Sequence, residues 1–389
     1  MSRSVIVAGA RTPIGKFQGA FAGLRAVDLG AVAIREALIR AQVQPDQVDY
    51  VVMGHVLRAG TGQITARQAA VAAGLPKEVP ALNVDKVCLS GTTAIALADQ
   101  MIRAGEVEIV VAGGMESMTN APYVLPDARE GFRLGHTRMI DTMIHDGLWS
   151  TFTKQHMGES SDAVNAELGL LREEQDAWAA RSHRRAAAGW ESGALAEEVV
   201  PVETTQRALV ERDEGIRSDS TPESLAALKP AFGQGGTITA GNASQISDGA
   251  AAVVVTSAEK AEQLGLRPLA EIVAYGMSAE RFPYLHTVPA IALQNAFKKA
   301  QLDVHDLGLL EVNEAFAAVA LNVTRVLGFD EELVNSNGGA VALGHPIGAS
   351  GARIVLTLAH EMRRRGVELG GACICGGGGQ GDALVLRSV

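Results

Sequence analysis

Residues 31–54 read AVAIREALIRAQVQPDQVDYVVMG, and residues 290–313 read AIALQNAFKKAQLDVHDLGLLEVN; helix, Ala-Gln turn and apolar strand return at an offset of 259 (31 to 290). A second pair, SGTTAIALADQMIRAG from Ser90 and SGARIVLTLAHEMRRRG from Ser350, returns at an offset of 260 (90 to 350), each followed by an apolar strand and glycines. Two nearly equal offsets mean that a whole module occurs twice. Each copy alternates apolar strands (VIVAG, YVVMG and IVVAGG; LAEIVAYG, LGLLEV and GACICGG) with amphipathic helices. Strands without a polar face need cover on both sides, so the fold class is α/β, as two stacked modules. The helix after each Ser–Gly step is almost free of charge and is expected to lie buried between the two sheets.

Between the copies the texture changes. Residues 120–248 are rich in His, Met, Thr, Pro and charge, and contain a helical stretch, Arg172 to Trp190, with no counterpart in the repeat. This reads as an inserted, partly helical loop domain of the kind that builds binding sites over a sheet edge. The expected division is residues 1–119 with 249–267 for the first α/β half, 120–248 for the insertion and 268–389 for the second half.

Composition narrows the function. Of 389 residues 47% are hydrophobic and only 20% charged, which argues against disorder. The formal charge of −10 offers no general attraction to nucleic acid or an anionic membrane, so an anionic ligand needs a local cation. The opening MSRSVIVAGA has an apolar run too short for a secretory leader, and no stretch approaches a membrane span; a soluble, cytoplasmic protein is expected. Three cysteines, Cys88, Cys373 and Cys375, cannot staple a chain of this length and are expected to be reduced.

Their surroundings point to chemistry. Cys88, in NVDKVCLSGTTAIALA, sits where a polar turn meets the start of an uncharged helix, where free N–H groups stabilise a thiolate. From this segment alone it reads either as a nucleophile or as a small core residue. The second copy places His345 of GGAVALGHPIGASGARI at the equivalent step, either as a base facing the thiol or as a turn histidine. Cys375 ends a strand and enters four glycines, whose backbone can aim N–H groups at one oxygen. Cys373 shares its strand face and reads as core; with no second Cys pair nearby, a metal site is rejected. Asn313 is expected to open the next helix, as a cap or as a holder of water, and Glu314 to be a carboxylate at that helix start.

The motifs DKVCLSG, GGMESM (Gly113 to Met118), NEAFA (Asn313 to Ala317), GGAVALGHPIGASGAR (Gly338 to Arg353) and CGGGGQGDA (Cys375 to Ala383), with RTPIGKF from Arg11, resemble those of the thiolase family in its order and over nearly the whole chain. The resemblance implies a duplicated five-layered α-β-α-β-α arrangement with an inserted loop domain, assembled as dimers or tetramers, and a reversible Claisen condensation of acyl-CoA esters. Carried over by motif, Cys88 is the nucleophile, His345 takes its proton, and Cys375 moves the proton at the substrate α-carbon. Asn313 holds a water that with His345 binds a thioester oxygen, while the N–H groups of Cys88 and Gly377 form the other oxyanion hole. Leu148, His156 and Met157 resemble a pantetheine-lining segment; Arg217, Phe232, Ala240, Ser244 and Phe316 resemble further CoA contacts, Arg217 being the local cation. Coenzyme A and its esters are substrates, and no permanently bound cofactor is implied.

One departure bears on the substrate. Short-chain members carry an MGxGP segment where Tyr284 to Pro289 reads YLHTVP, so a pocket methionine is missing and His286 or a neighbour is expected to reshape the site. The HMG at His156 still favours the acetoacetyl-CoA branch over longer-chain 3-ketoacyl-CoA thiolases. A 3-oxoacyl carrier-protein synthase would pair its cysteine with two His, or His and Asn, rather than a second Cys. A non-catalytic acyl-CoA carrier would not need Cys88, His345 and Cys375 together.

Overall fold

The computed structural model describes residues 3–281 and 283–389; the first two positions of the expected N-terminal half lie outside them. In chain order the elements that frame the site are β1 (Ser4–Arg11), α1 (Ala26–Ala41), β2 (Tyr50–Gly54), α2 (Thr65–Ala73), β3 (Ala81–Val84), α3 (Ser90–Arg103) and β4 (Ile109–Ser117). Short hairpins with α4 (Met157–Leu168) and α5 (Arg172–Glu191) follow, before β5 (Ser247–Ser257) returns to the first sheet. The second copy comprises β6 (Ala270–Ala279), α6 (Val288–Ala300), β7 (Leu309–Val312), α7 (Ala317–Leu327), α8 (Ser350–Arg365), β8 (Leu369–Gly376) and β9 (Gln380–Ser388).

The strand order is β7-β8-β9-β6-β1-β5-β4-β2-β3. It is symmetric about the joint between β6 and β1, with β2, β4, β5 and β1 of the first half answering β7, β8, β9 and β6 of the second. In each half the crossover pair far from the joint (β2–β4, β7–β8) is parallel and the pairs between it and the joint are antiparallel, as a duplication requires. The joint itself is short, pairing only Val5 with Glu271 and Ile6 with Ala270. The halves are therefore held chiefly through what lies between them.

That middle layer is α3 against α8, which together touch strands of both halves, while α1 and α2 cover the first sheet outside and α6 and α7 the second. This is the five-layered arrangement that the resemblance implies. The two central helices meet backbone to backbone: a Cβ on Gly91 would stand 2.5 Å from Ala352 N, and one on Gly351 2.4 Å from Thr92 N. Only glycine fits such a crossing. Around it Ile95, Ile354 and Leu356 are fully buried, and truncating any of them to alanine removes packing worth about 2–5 kcal/mol.

The α8 helix carries more charge inward than its sequence suggested. Arg353, His360 and Glu361 are buried in it, Arg353 reaching Glu311 on β7 at 3.3 Å and Glu361 accepting from Asn337 at 2.8 Å. Asn313 and Glu314 do not open the following helix. That helix begins at Ala317 with Phe316 at its N-cap, because residues 313–316 leave β7 as an irregular step before turning.

Candidate active site

The Cys88 turn is built by Ser90, the first residue of α3. Its hydroxyl donates to Val87 O at 2.6 Å and accepts from Lys86 N at 2.9 Å, closing the chain into a tight loop. Val87 is forced to φ 50°, a conformation a β-branched residue rarely adopts, and so it marks local strain just before the thiol. The loop is pinned from the other half by Lys86, whose ammonium lies 2.7 Å from fully buried Asp382 of β9, itself accepting from Thr93 at 2.6 Å.

His345 is held just as tightly. Its N–H donates to Gln245 O and to Ser247 Oγ, and Gly344 at φ 114° leaves room for that serine. Nδ1 lies 2.6 Å from Ser350 Oγ, whose single proton goes to Pro346 O. Nδ1 therefore carries the ring proton and Nε2 is left with a lone pair; Nε2 has no partner among the described residues. Three residues further on, Gly348 N donates to Glu116 on β4, which also accepts from Val56 and Leu57 N, tying the histidine loop to the first half.

Cys88, His345, Cys375 and Gly377 line one cavity of about 220 Å³. Gly377 N–H and the N–H of Cys88 both point at the Cys88 sulfur. Burial nevertheless dominates, pushing the thiol up to about 12, against the lowering expected from the helix start. His345 is pushed down to about 3 by burial and by the charge of Arg353. Burial and the nearby Cys88 raise Cys375 as well. The resting pair is thus a thiol and a neutral imidazole with a free nitrogen.

Leu148, His156, Met157, Phe232, Ser244 and Phe316 complete the wall that the sequence suggested. His156 caps α4 by accepting from Gly158 N at 3.1 Å and stacks on Phe232 with ring centres 4.6 Å apart; Phe232 meets Phe316 edge-on at 6.3 Å. Arg217 and Ala240 are exposed and do not line this cavity. Asn313 does not line it either: it is fully buried, and neither amide atom has a partner among the described residues. Sequence reasoning missed Met118, Ala243, Gln245, Ile246, Ala315, Ile347 and Gly376 on the wall, although Met118, Ala315, Ile347 and Gly376 lay inside quoted motifs. Leu285 also lines it, one residue before His286; the histidine itself is buried behind the wall, its Nε2 2.8 Å from Asn165 Oδ1 on α4. Cys373 is buried in the core of the second half.

A larger cavity of about 660 Å³ lies between α5 and α7; of its arginines, Arg181 pairs with Glu331 and Arg325 with Glu174. Neither cysteine nor histidine is among the described residues that line it.

Family models for the thiolase N-terminal domain and the thiolase C-terminal domain match residues 4–259 and 266–388. The chain belongs to the thiolase family. Among similar thiolases, a probable acetyl-CoA acetyltransferase of Mycobacterium leprae is 55% identical over 393 aligned positions, covering 100% of both chains. The acetyl-CoA acetyltransferase of Cupriavidus necator is 50% identical over 391 positions, again covering 100% of each. The crystal structure of the Bacillus anthracis acetyl-CoA acetyltransferase superposes with a TM-score of 0.97 at 42% identity, over 100% of this thiolase and 99% of that one. No helix of the described residues is long and apolar enough to cross a membrane.

Proposed function

We propose that this thiolase is an acetyl-CoA acetyltransferase, joining two acetyl-CoA into acetoacetyl-CoA and CoA and running the reverse thiolysis. One observation carries the reading: Cys88, Cys375 and His345, supplied by a turn, a strand end and a loop of the two halves, line a single small apolar cavity, and His345 Nε2 has no partner among the described residues. The names of the full-length relatives support it.

In the first half-reaction His345 Nε2 takes the Cys88 proton as sulfur attacks the acyl-CoA carbonyl. The oxyanion forms against the N–H groups of Cys88 and Gly377, and collapse expels CoA thiolate, which leaves with the proton from His345. Acyl-Cys88 remains. Cys375 then passes its proton to the neutral His345 and, as thiolate, takes the α-proton of a second acetyl-CoA; the enolate oxygen rests on the protonated His345 and a water held by Asn313, the carbon attacks the acyl group, and Cys88 leaves as thiolate and regains its proton from His345. Coenzyme A is substrate throughout. Its nucleotide end exceeds the cavity and extends outward, toward the side where Arg217 and Ala240 are exposed.

The same reading carries a cytoplasmic setting, a homo-oligomer, most simply a homotetramer, and work on fatty acyl thioesters. The test is thiolysis of 3-oxoacyl-CoA esters of increasing length by wild type and Cys88→Ala. Wild type is expected to be fastest on the four-carbon ester, and the variant to lose turnover and iodoacetamide labelling together. Undiminished turnover without Cys88 sinks the assignment.

A further inference from the structure

Glu314 follows Asn313 directly, yet it reaches neither the cavity nor solvent: it is 1% exposed. Its two oxygens collect four hydrogen bonds. Oε1 accepts from Trp178 Nε1 at 2.9 Å and Asn335 Nδ2 at 2.9 Å; Oε2 accepts from Ser182 Oγ at 2.7 Å and Val341 N at 3.0 Å. The carboxyl group occupies the space where a Cβ on Gly339 would fall, 2.3 Å from its carboxyl carbon, so that glycine exists to admit it. Gly339 N in turn donates to Ser182 Oγ at 2.9 Å.

These partners come from three places: α5 of the segment between the halves, the turn at Asn335, and the loop that leads to His345. From Val341 the connection continues. Gln245 Nε2 donates to Val341 O at 3.0 Å, and Gln245 O accepts from His345 N at 3.0 Å. On the other side, Asn335 brackets Val312, accepting from its N at 2.7 Å and donating to its O at 2.9 Å, and so fixes the strand end that carries Asn313. Asn313 has no side-chain partner of its own among the described residues, so its aim depends on that backbone.

We propose that Glu314 is a positioning residue that fixes Asn313 and His345 relative to one another, with α5 as its anchor. This deepens the acetyltransferase reading and rests on it. A carboxyl group suits the place because every partner points a proton at it: three are N–H donors that cannot reverse, and the Ser182 oxygen is already occupied by Gly339 N–H. A glutamine, whichever way it flips, turns an NH2 toward a fixed N–H.

The experiment compares full-length wild type, Glu314→Gln, Trp178→Phe and the double variant at a temperature well below their unfolding. The readouts are kcat, KM for acetoacetyl-CoA and thermal melting. Glu314→Gln is expected to lower kcat about 100-fold, the scale of an ångström's misplacement, with KM within about threefold. Trp178→Phe, which leaves the carboxyl group in place, should lose less kcat in the same direction. The double variant should be no worse than Glu314→Gln, because both act through one group. Wild-type kcat in a Glu314→Gln protein that merely melts earlier overturns the proposal, as do multiplying losses in the double variant. Should Glu314→Gln not fold, Trp178→Phe and Ser182→Ala carry the same kcat-against-KM comparison, and unchanged kcat in both overturns it. Failure of the acetyltransferase reading would show separately, as wild-type turnover that does not need Cys88.

Discussion

Cys88 rests as a thiol and His345 as a neutral ring because a charge on either would be stranded in an apolar cavity, which pushes one up to about 12 and the other down to about 3. In the proposed first half-reaction, proton transfer between them is favourable only when a carbonyl oxygen arrives to take the negative charge beside the Gly377 N–H. The ring is ready for that moment because Ser350 holds the proton on Nδ1. Cys375 is held protonated by the same burial and has a separate task. In Cys375→Ser, condensation should fall by on the order of 10²–10⁴-fold, the usual worth of a positioned acid–base group, while acyl-Cys88 still accumulates on mixing with acetyl-CoA. Mass spectrometry of the quenched protein checks this; absence of any acyl adduct contradicts the division of labour between the two thiols.

The loops that carry these residues are cross-braced between halves, and the clearest brace is Lys86 on Asp382. Lys86→Met leaves the fully buried Asp382 without its cation, with the hydroxyls of Thr93 and nearby Tyr275 beside it, and releases the strained turn at Val87. A loss of about 2–3 kcal/mol in urea unfolding is expected, below the full cost of breaking a buried pair because Lys86 is partly exposed, together with slower acylation. Unchanged stability would mean that the pair only decorates the turn. At this scale the sequence was informative where chemistry and periodicity coincide. The doubled Ser–Gly helices, the strands beside them and the gathering of Cys88, His345 and Cys375 at one cavity could all be read, because glycine runs and repeat offsets are local signals. Glu314 could not: next to a helix it looked like a cap, and only the meeting of α5, Asn335 and Val341 from distant parts of the chain makes it a hub. Leu285 was hidden likewise, since nothing in YLHTVP says which of its side chains faces the cavity. Arg217 was placed by motif, but whether an exposed loop cation abuts a pocket depends on long-range packing that a motif does not carry.

At the scale of the whole molecule, buried neutral histidines weaken the fold in acid. His286 is held down to about 4 by burial, as is His183, for which Arg217 adds to the effect. Their folded values lie below the unfolded 6.5, so the unfolded chain binds protons that the folded one refuses. The histidine contribution is full above about pH 6.5 and drains as pH falls toward 4, where His286 alone accounts for on the order of 3 kcal/mol; Glu311, pushed up to about 8 by burial, acts in the opposite sense as pH falls. Denaturant midpoints measured from pH 7 to 4 should fall, and His286→Gln should flatten the decline; an equal slope in the variant would assign it elsewhere. Finally, the crossing of α3 and α8 at Gly91 and Gly351 acts as a rivet. With backbone touching backbone and space only for hydrogen, the two lobes have no slack in which to swing, so an incoming thioester meets machinery that is already assembled.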